Sequence, residues 1–347
     1  MLQPLIVGLG RSGAGLHLKV LNRMASSPDG PLFARPPIAC DPRPEAGRDL
    51  HGVTVTGSIA DASRLVSPPS AVVHVCTPPT SRVPVLTELA ERGFVKLLVE
   101  KPLATDRTEL DRIIRLCCRH DLELVVVSHW LHANLTHRLR QLVRERTLGR
   151  LLSVTVAQDK PRFLRSLTTQ GHPTAFDVEV PHALGVVLDL AGPARLLDAQ
   201  WTDMRCGDTV RPRMAGARLT LDHGSGVRSD ITSDLTAPVQ RRSITLTFRH
   251  GRAIGHYPLS ENDDHAQLMI LGDGHSRHTV RAHHVFRDDA LTTFMRRTYQ
   301  RFAEGERADP SPHLDVVRLL CTAKDHCRAE DRRRTQDRPR TESARAH

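Results

Sequence analysis

The chain has 347 residues, of which 39% are hydrophobic and 25% charged. It can bury a sizeable core in about two domains, which excludes a peptide hormone, a disordered tail or a collagen-like rod. The seven cysteines are odd in number and include no Cys-x-x-Cys pair, so neither a disulfide framework nor a zinc ribbon is expected and the compartment should be reducing. The formal charge of +10 would suit an anionic ligand, but aromatics are only 3%. The stacking surface that single-stranded nucleic acid needs is missing, so no nucleic-acid partner is expected.

From Met1 the chain enters an apolar segment with no basic leader, and its longest uncharged stretch, residues 65–81, is broken by four prolines. A cytoplasmic protein without a membrane span is the expectation. Short β-branched runs at 5–7, 38–40, 53–55, 71–76, 95–99 and 124–127 alternate with helical stretches at 11–24, 84–92 and 106–120. In the last of these, Asp106 and Glu109 make a capping-box-like start, and Leu110, Ile113, Ile114 and Cys117 fall on one face. The alternation predicts an α/β domain over residues 1–127, a doubly wound parallel sheet. A helix at 135–146 and a stop at Gly149 follow. The texture then changes to alternating segments at 151–158, 196–206, 215–222, 226–233, 242–249 and 266–271, with turns such as His223-Gly224, His250-Gly251 and Asp273-Gly274. This predicts a second domain, residues 128–328, built on an open and mainly antiparallel sheet with one wet face. Helices at 289–303 and 313–326 come next, and residues 329–347 read as a disordered, arginine-rich tail.

The strongest motif is Gly8-Leu9-Gly10-Arg11-Ser12-Gly13, because it follows a predicted strand and opens a predicted helix. Gly8 permits a tight turn and Gly10 lets backbone approach a diphosphate. Gly13 lets helix and strand pack closely while the helix amides face the phosphate charge. Asp41 ends the second strand, where a carboxylate accepts hydrogen bonds from the ribose hydroxyls of NAD and repels the extra phosphate of NADP. The nearby Arg43 can pair with that phosphate instead, so NAD is expected with NADP as the alternative.

Three further segments accompany the loop: residues 72–81 (VVHVCTPPTS), 98–103 (LVEKPL) and 148–154 (LGRLLSV). In this order and spacing, over about residues 3–328, the chain resembles the Gfo/Idh/MocA oxidoreductases, the glucose-fructose oxidoreductase and inositol dehydrogenase family. The resemblance implies a Rossmann domain followed by an α/β domain whose open sheet often forms a homo-oligomer, with the substrate between the domains against the nicotinamide. It also implies that Lys101 is the active-site lysine, placed by Glu100 and Pro102, and that the turn Thr77, Pro78, Pro79 borders the cofactor. The residues agree for Lys101. It follows a strand at its carboxyl end, where ligands of open α/β sheets collect, and a lysine there can donate to a substrate oxygen as charge develops.

Residues 181–190 (PHALGVVLDL) resemble the family's helix that carries an active-site histidine, here His182. Pro181 suits a helix start, and the helix N-terminus favours a neutral imidazole, able to take a proton from an alcohol or return it to a ketone. The chain departs from the family where an aspartate usually stands four residues before this histidine. That position is Val178, flanked by Asp177 and Glu179, either of which is placed to orient the imidazole or hold a hydroxyl. Arg82 stands where a histidine often follows the Thr-Pro turn, and His129-Trp130-Leu131-His132 where an aromatic and an arginine are usual.

Lys160, Arg162 and Arg165 precede the presumed histidine helix, where they can meet an anionic substrate or simply form a solvated basic loop. His275, His278, His283 and His284 crowd one region without helical ligand spacing, and no metal is expected. The expected function is hydride transfer between a nicotinamide and a secondary alcohol or ketone of a sugar, cyclitol or related polyol, with His182 handling the proton and Lys101 the oxygen. Two other readings stay open. One is reduction of an imine or conjugated double bond; the other is a cofactor-binding regulatory protein without chemistry.

Overall fold

Residues Gln3–Val7 are all buried, as expected of a strand covered on both faces in the interior of a parallel sheet. The computed structural model describes residues 1–336 apart from 27–31, 34, 51, 169–170, 261–262 and 274–277. In it these five residues form β1, which pairs in parallel with β2 (Ile38–Cys40) and β4 (Ala71–Val75). With β3 (Thr54–Thr56), β5 (Lys96–Val99) and β6 (Glu123–Val126) they make a six-stranded sheet in the order β3-β2-β1-β4-β5-β6. Strand order reverses between β1 and β4, so the crevice outside their carboxyl ends is where this topology binds ligands. Helices α1 (Lys19–Ala25), α2 (Ile59–Leu65), α3 (Arg82–Glu91) and α4 (Arg107–His120) connect the strands. Asp106 caps α4 as expected, accepting from the Glu109 amide at 2.8 Å.

The helix after the glycine loop starts unexpectedly. Gly13–Leu18 is a turn of π-helix that runs into α1, with the His17 amide donating five residues back to the Ser12 carbonyl at 2.8 Å. Gly13 and Gly15 weaken the α-helical preference there. Such wide turns recur at functional sites.

The second sheet has eight strands in the order β14-β13-β12-β11-β7-β10-β9-β8. They are β7 (Leu151–Asp159), β8 (Ala194–Cys206), β9 (Thr209–His223), β10 (Arg228–Asp234), β11 (Arg241–Phe248), β12 (Gly251–His256), β13 (His265–Asp273) and β14 (His278–Arg287). All neighbours run antiparallel except β7 and β10. Burial alternates along β10 and β11, the signature of one covered and one wet face. The covered face packs on α5 (Asn134–Glu145) and α7 (Val180–Ala191), and the short α6 (Phe163–Thr168) lies against β9. Strands β12 and β14 escape the sequence reading because GRAIGH and HTVRAHHVFR carry little β-branched apolar character.

The C-terminal helices depart from the expected domain plan. In α8 (Ala290–Glu304), Phe294, Met295, Tyr299 and Phe302 pack with Ile6, Leu21 and Val72 in the Rossmann core. α9 (Ser311–Gln336) sends Val317 and Cys321 into the parallel-sheet core and Val316 and Leu320 into the other. The first domain is therefore completed from beyond residue 128, and the two domains share a brace. Residues 329–336 are helical rather than a disordered tail, since Trp201 Nε1 donates to Asp331 at 3.0 Å and Arg333 pairs with Glu330. Residues 337–347 lie outside the described residues.

Candidate active site at the carboxyl edge of the parallel sheet

Four strand ends meet at the switch point. Gly8 N donates to the Cys40 carbonyl and Cys76 N to the Val7 carbonyl, both at 2.8 Å, and Glu100 N to the Val75 carbonyl at 3.0 Å. The glycine loop, Asp41, the Thr77 turn and the Glu100-Lys101 pair thus share one edge. Gly8 has φ of +96°, and a Cβ there would press on the Cys76 and Thr77 backbone at 3.1 Å. A Cβ at Gly13 would collide with the Gly8 carbonyl oxygen, whereas Gly10 has open space beside it. Two glycines are therefore required by close packing, and the third leaves room for a diphosphate. Arg11 is exposed and Ser12 half-buried beside that opening. The Thr77 hydroxyl is buried without a hydrogen-bond partner, and with Pro78 exposed and Pro79 buried the turn presents an unfilled polar atom. These features fit a bound dinucleotide.

Asp41 is buried and already engaged. Its Oδ2 accepts from the Leu9 amide at 2.7 Å and from Arg43 at 2.9 Å, and its Oδ1 from Arg43 Nε at 2.9 Å. Burial pushes this carboxyl up, but those donors hold it below the usual carboxylate range. Arg43 remains largely exposed, so carboxylate and guanidinium stand together just past the end of β2.

Glu100 anchors a chain of contacts absent from the sequence reading. Its Oε1 faces His17 Nε2 at 3.0 Å, His17 Nδ1 faces His74 Nδ1 at 2.8 Å, and His74 Nε2 faces the Tyr299 hydroxyl at 2.8 Å. Burial opposes charge on His17, yet the Cys76 and Glu100 side chains outweigh it and push His17 up to about 10. Burial alone would raise Glu100, but His17 and the Lys101 charge hold it at about 2. Burial and the His17 charge keep His74 well below its ordinary value. Arg82, wholly buried, braces the same place, donating to the Glu100 carbonyl and, at 2.9 Å, to the Thr77 carbonyl. A histidine inside the buried run Val72–Val75 was the readable signal; its partner on α8 was not.

Lys101 is half-buried, and its Nζ donates to the Val178 carbonyl. Burial lowers its pKa, helped by Arg162 and Arg165 and opposed by Glu179 and Glu100. His182 sits in the first turn of α7, its ring beside His129 (centroids 4.5 Å apart) and stacked at 5.9 Å on Trp130. Burial, reinforced by the charges of His129, Lys101, Arg242 and Lys160, holds it well below its ordinary value, so the imidazole is neutral.

The two carboxylates flanking Val178 take different routes from those expected. Asp177 is fully buried and spent on structure. Its Oδ2 accepts from the Thr174 amide at 3.0 Å and hydroxyl at 2.8 Å, while Oδ1 pairs with Lys324 of α9. Glu179 pairs with Lys160. Burial would raise Glu179, but Lys160, Lys101 and Arg242 hold it at about 2. Neither carboxylate orients the imidazole, because His182 Nδ1 has no partner. His283 and His284 lie on β14 opposite Met269 and Leu268, while His275 is outside the described residues. Among the described residues no group of three or more His, Cys, Asp or Glu side chains is placed to hold a metal, and no helix is long and apolar enough to cross a membrane.

Residues 2–129 match the oxidoreductase family with NAD-binding Rossmann fold typified by Gfo, Idh and MocA. That span is similar to the Gfo/Idh/MocA oxidoreductases. No curated protein matches the chain significantly in sequence. Solved structures extend the likeness of fold to the whole chain. A Desulfitobacterium hafniense protein assigned as an NADPH-dependent oxidoreductase has a TM-score of 0.79 at 13% identity, over 95% of this chain and 96% of its own. The 3-ketoreductase KijD10 of Actinomadura kijaniata, in complex with NADP and TDP-benzene, has a TM-score of 0.76 at 15% identity, over 94% and 98%. An Agrobacterium radiobacter oxidoreductase in complex with NAD+, L-tartaric acid and magnesium has a TM-score of 0.70 at 14% identity, over 95% and 97%. The six-stranded parallel sheet of the matched span is consistent with the NAD-binding Rossmann fold of that family model.

Proposed function

We propose that the chain is an NAD(P)-dependent oxidoreductase acting on a secondary alcohol or ketone of a sugar, cyclitol or related small polyol. One observation carries the reading. Lys101, at the carboxyl end of β5, reaches the Val178 carbonyl just ahead of α7, which bears the neutral His182. In this reading Lys101 is the donor and His182 the base, each supplied by a different domain. The bound dinucleotide supplies or accepts the hydride. Gly8, Gly10, Arg11, Ser12 and Gly13 would hold its diphosphate at the helix start, Asp41 and Arg43 its ribose, and Thr77, Pro78 and Pro79 would border it. Lys101 donates to the substrate oxygen as charge develops there, and His182 takes or returns the hydroxyl proton. Glu100 keeps the lysine backbone in place, its Oε2 accepting from the Lys101 amide at 3.2 Å. Glu179 holds Lys160, and Asp177 has no part in the chemistry. The NADP-bound 3-ketoreductase and the oxidoreductase with NAD+ and L-tartaric acid support a carbonyl or hydroxyl substrate and either dinucleotide.

Fluorescence titration with NADH and NADPH tests the first half of this reading, and turnover on a polyol and ketone panel the second. Lys101→Met is expected to keep dinucleotide affinity and lower kcat by about 10²–10³-fold. No uptake of either dinucleotide, or wild-type turnover in that variant, overturns the proposal. The uncovered face of the second sheet, with Val280 and Val285 exposed on β14, serves in this reading to pair copies of the chain. Light scattering on the purified protein checks that: a monomer at working concentration removes it.

A further inference from the structure

The segment ahead of α7 is built more rigidly than a solvated basic loop. Lys160 N donates to the Asp234 carbonyl and Arg162 N to the Leu235 carbonyl, both at 2.9 Å, so the backbone continues the pairing at the end of β10. The Ser166 amide then donates to the Arg162 carbonyl at 2.9 Å as α6 begins, and Arg162 Nη1 donates to the Ser166 hydroxyl at 2.8 Å. Arg162 is only 7% exposed, its Nε is buried with no hydrogen-bond partner, and among the described residues no carboxylate pairs with it. A guanidinium withdrawn from water without a carboxylate paired to it is costly, and burial, helped by the charges of Arg165 and Arg11 and opposed by Glu179, pushes Arg162 down to about 10.

The surroundings sharpen the imbalance. Lys101, Arg165 and Arg242 lie near enough to influence the same buried groups electrostatically, and the carboxylates within that reach are Glu179 and Glu100. Both are spoken for, Glu179 by Lys160 and Glu100 by His17. His172 adds another unpartnered buried Nδ1, with burial and the charges of Lys101, Arg162 and Arg165 pushing it down to about 3. A neutral polyol offers each hydroxyl as both donor and acceptor and is best held by carboxylate or amide oxygens. Here the amide of Gln158 and the hydroxyl of Ser233 are also buried without partners, but the one charged group among these side chains, Arg162, is positive.

We propose that the substrate carries an oxyanion, a carboxylate or a phosphate ester, bound by the preorganised guanidinium of Arg162 with Lys160 and Arg165 around it, while the reacting carbon lies at Lys101 and His182. This rests on the redox reading for the position of the reacting carbon but not for the anion site itself. The planar fork of an arginine suits either oxyanion, and a site that excludes water makes the pairing strong.

Two measurements on the full chain saturated with reduced dinucleotide separate the possibilities. The first is calorimetric titration with malonate and with inorganic phosphate, comparing wild type, Arg162→Met and Arg162→Lys. Wild type is expected to bind at least one, Arg162→Met to bind about a hundredfold more weakly, and Arg162→Lys to recover part of the loss. The second is turnover of matched glucose, glucuronate and glucose 6-phosphate-type sets, in which an acidic member is expected to exceed its neutral parent in kcat/KM. In Arg162→Met that ratio should fall about a hundredfold, mostly through KM. Preference for the carboxylate or for the phosphate identifies the oxyanion. Binding of neither probe by wild type overturns the proposal, as does equal use of neutral and acidic substrates. An Arg162→Met variant that loses dinucleotide affinity instead of acid affinity overturns it too, since the arginine would then serve the cofactor. Oxyanion binding without turnover on any substrate sinks the redox reading alone, whereas turnover of neutral substrates without oxyanion binding sinks this one alone.

Discussion

Two buried polar clusters lie on either side of Lys101, and they are built on opposite terms. Toward the Rossmann core, Glu100, His17, His74 and Tyr299 form a chain in which every imidazole nitrogen has a partner. Nearby, Asp177 and Lys324 saturate each other, Lys324 donating also to the Thr105 carbonyl at 3.0 Å. Toward the second domain, His129 Nδ1, His172 Nδ1, His182 Nδ1 and Arg162 Nε are all buried with no partner. Each orphaned group costs about 1–3 kcal/mol relative to a satisfied one. The closed cluster contributes to folding and fixes the strand end that carries Lys101. In the proposed reading, the open cluster gains its partners from what binds there.

If that contrast is right, a substitution in the open cluster moves activity and leaves stability alone. His182→Phe replaces an unpartnered ring with an apolar one of similar shape, stacked on Trp130. Turnover is expected to fall about 10²–10⁴-fold. The thermal midpoint should hold or rise, because an unsatisfied buried nitrogen is removed. Parallel kinetics and calorimetry check this, and a large loss of stability would make His182 a packing residue.

The reverse is expected of Lys324→Met. The ammonium and the Asp177 carboxylate are 3% and 0% exposed, and removing one partner strands the other charge, at a cost of about 3–5 kcal/mol. Urea unfolding measures it. A shift under 1 kcal/mol would show that the pair is not what ties α9 to the turn before α7.

A smaller effect separates the clusters by pH. Glu100 is held at about 2 against an ordinary 4.5, so its contribution is complete above pH 4.5 and is lost as pH falls through about 2. His17 is raised to about 10 from 6.5, so its contribution is complete below pH 6.5 and is lost as pH rises through about 10. The pair is therefore at full strength between those ordinary values. The acid side amounts to about 3 kcal/mol. Stability of Glu100→Gln measured from pH 6 to pH 2 should lack that portion of the acid decline, and an unchanged acid limb would break the assignment.

Legibility followed the kind of constraint. Gly8 and Gly13 were readable because their need is a backbone need, and a strand, loop and helix in register announce it locally. The parallel strands were readable as apolar runs and the second sheet as alternation. His17, His74 and Tyr299 were not, because their meaning is a meeting between residues up to 225 positions apart. Gly13 and Gly15 mark a weak place in the helix, but that the chain takes a π-turn there was not legible from propensity alone. Residues 329–336 looked too polar to fold, yet one tryptophan hydrogen bond and ion pairs one turn apart continue the helix. Asp177 and Glu179 looked equivalent beside Val178; only the return of α9, carrying Lys324, tells them apart.

The smallest expected effect probes whether the closed cluster acts as one network. Glu100 as a carboxylate only accepts, so His17 Nε2 donates to it. With His17 charged, its Nδ1 donates to His74 Nδ1, and neutral His74 then carries its proton on Nε2 and donates to the Tyr299 oxygen. Tyr299→Phe removes that final acceptor and leaves a buried N–H orphaned, which costs about 1–3 kcal/mol with little change in dinucleotide affinity. In a double-mutant cycle with Glu100→Gln, the two changes should couple by about 0.5–3 kcal/mol although neither residue touches the other, because removing the acid lets His17 become neutral and the donor direction along the chain reverse. With the direction reversed, Tyr299 would donate to His74, so the penalty for its loss changes. Strict additivity would mean that the four side chains are separate pairs that happen to adjoin.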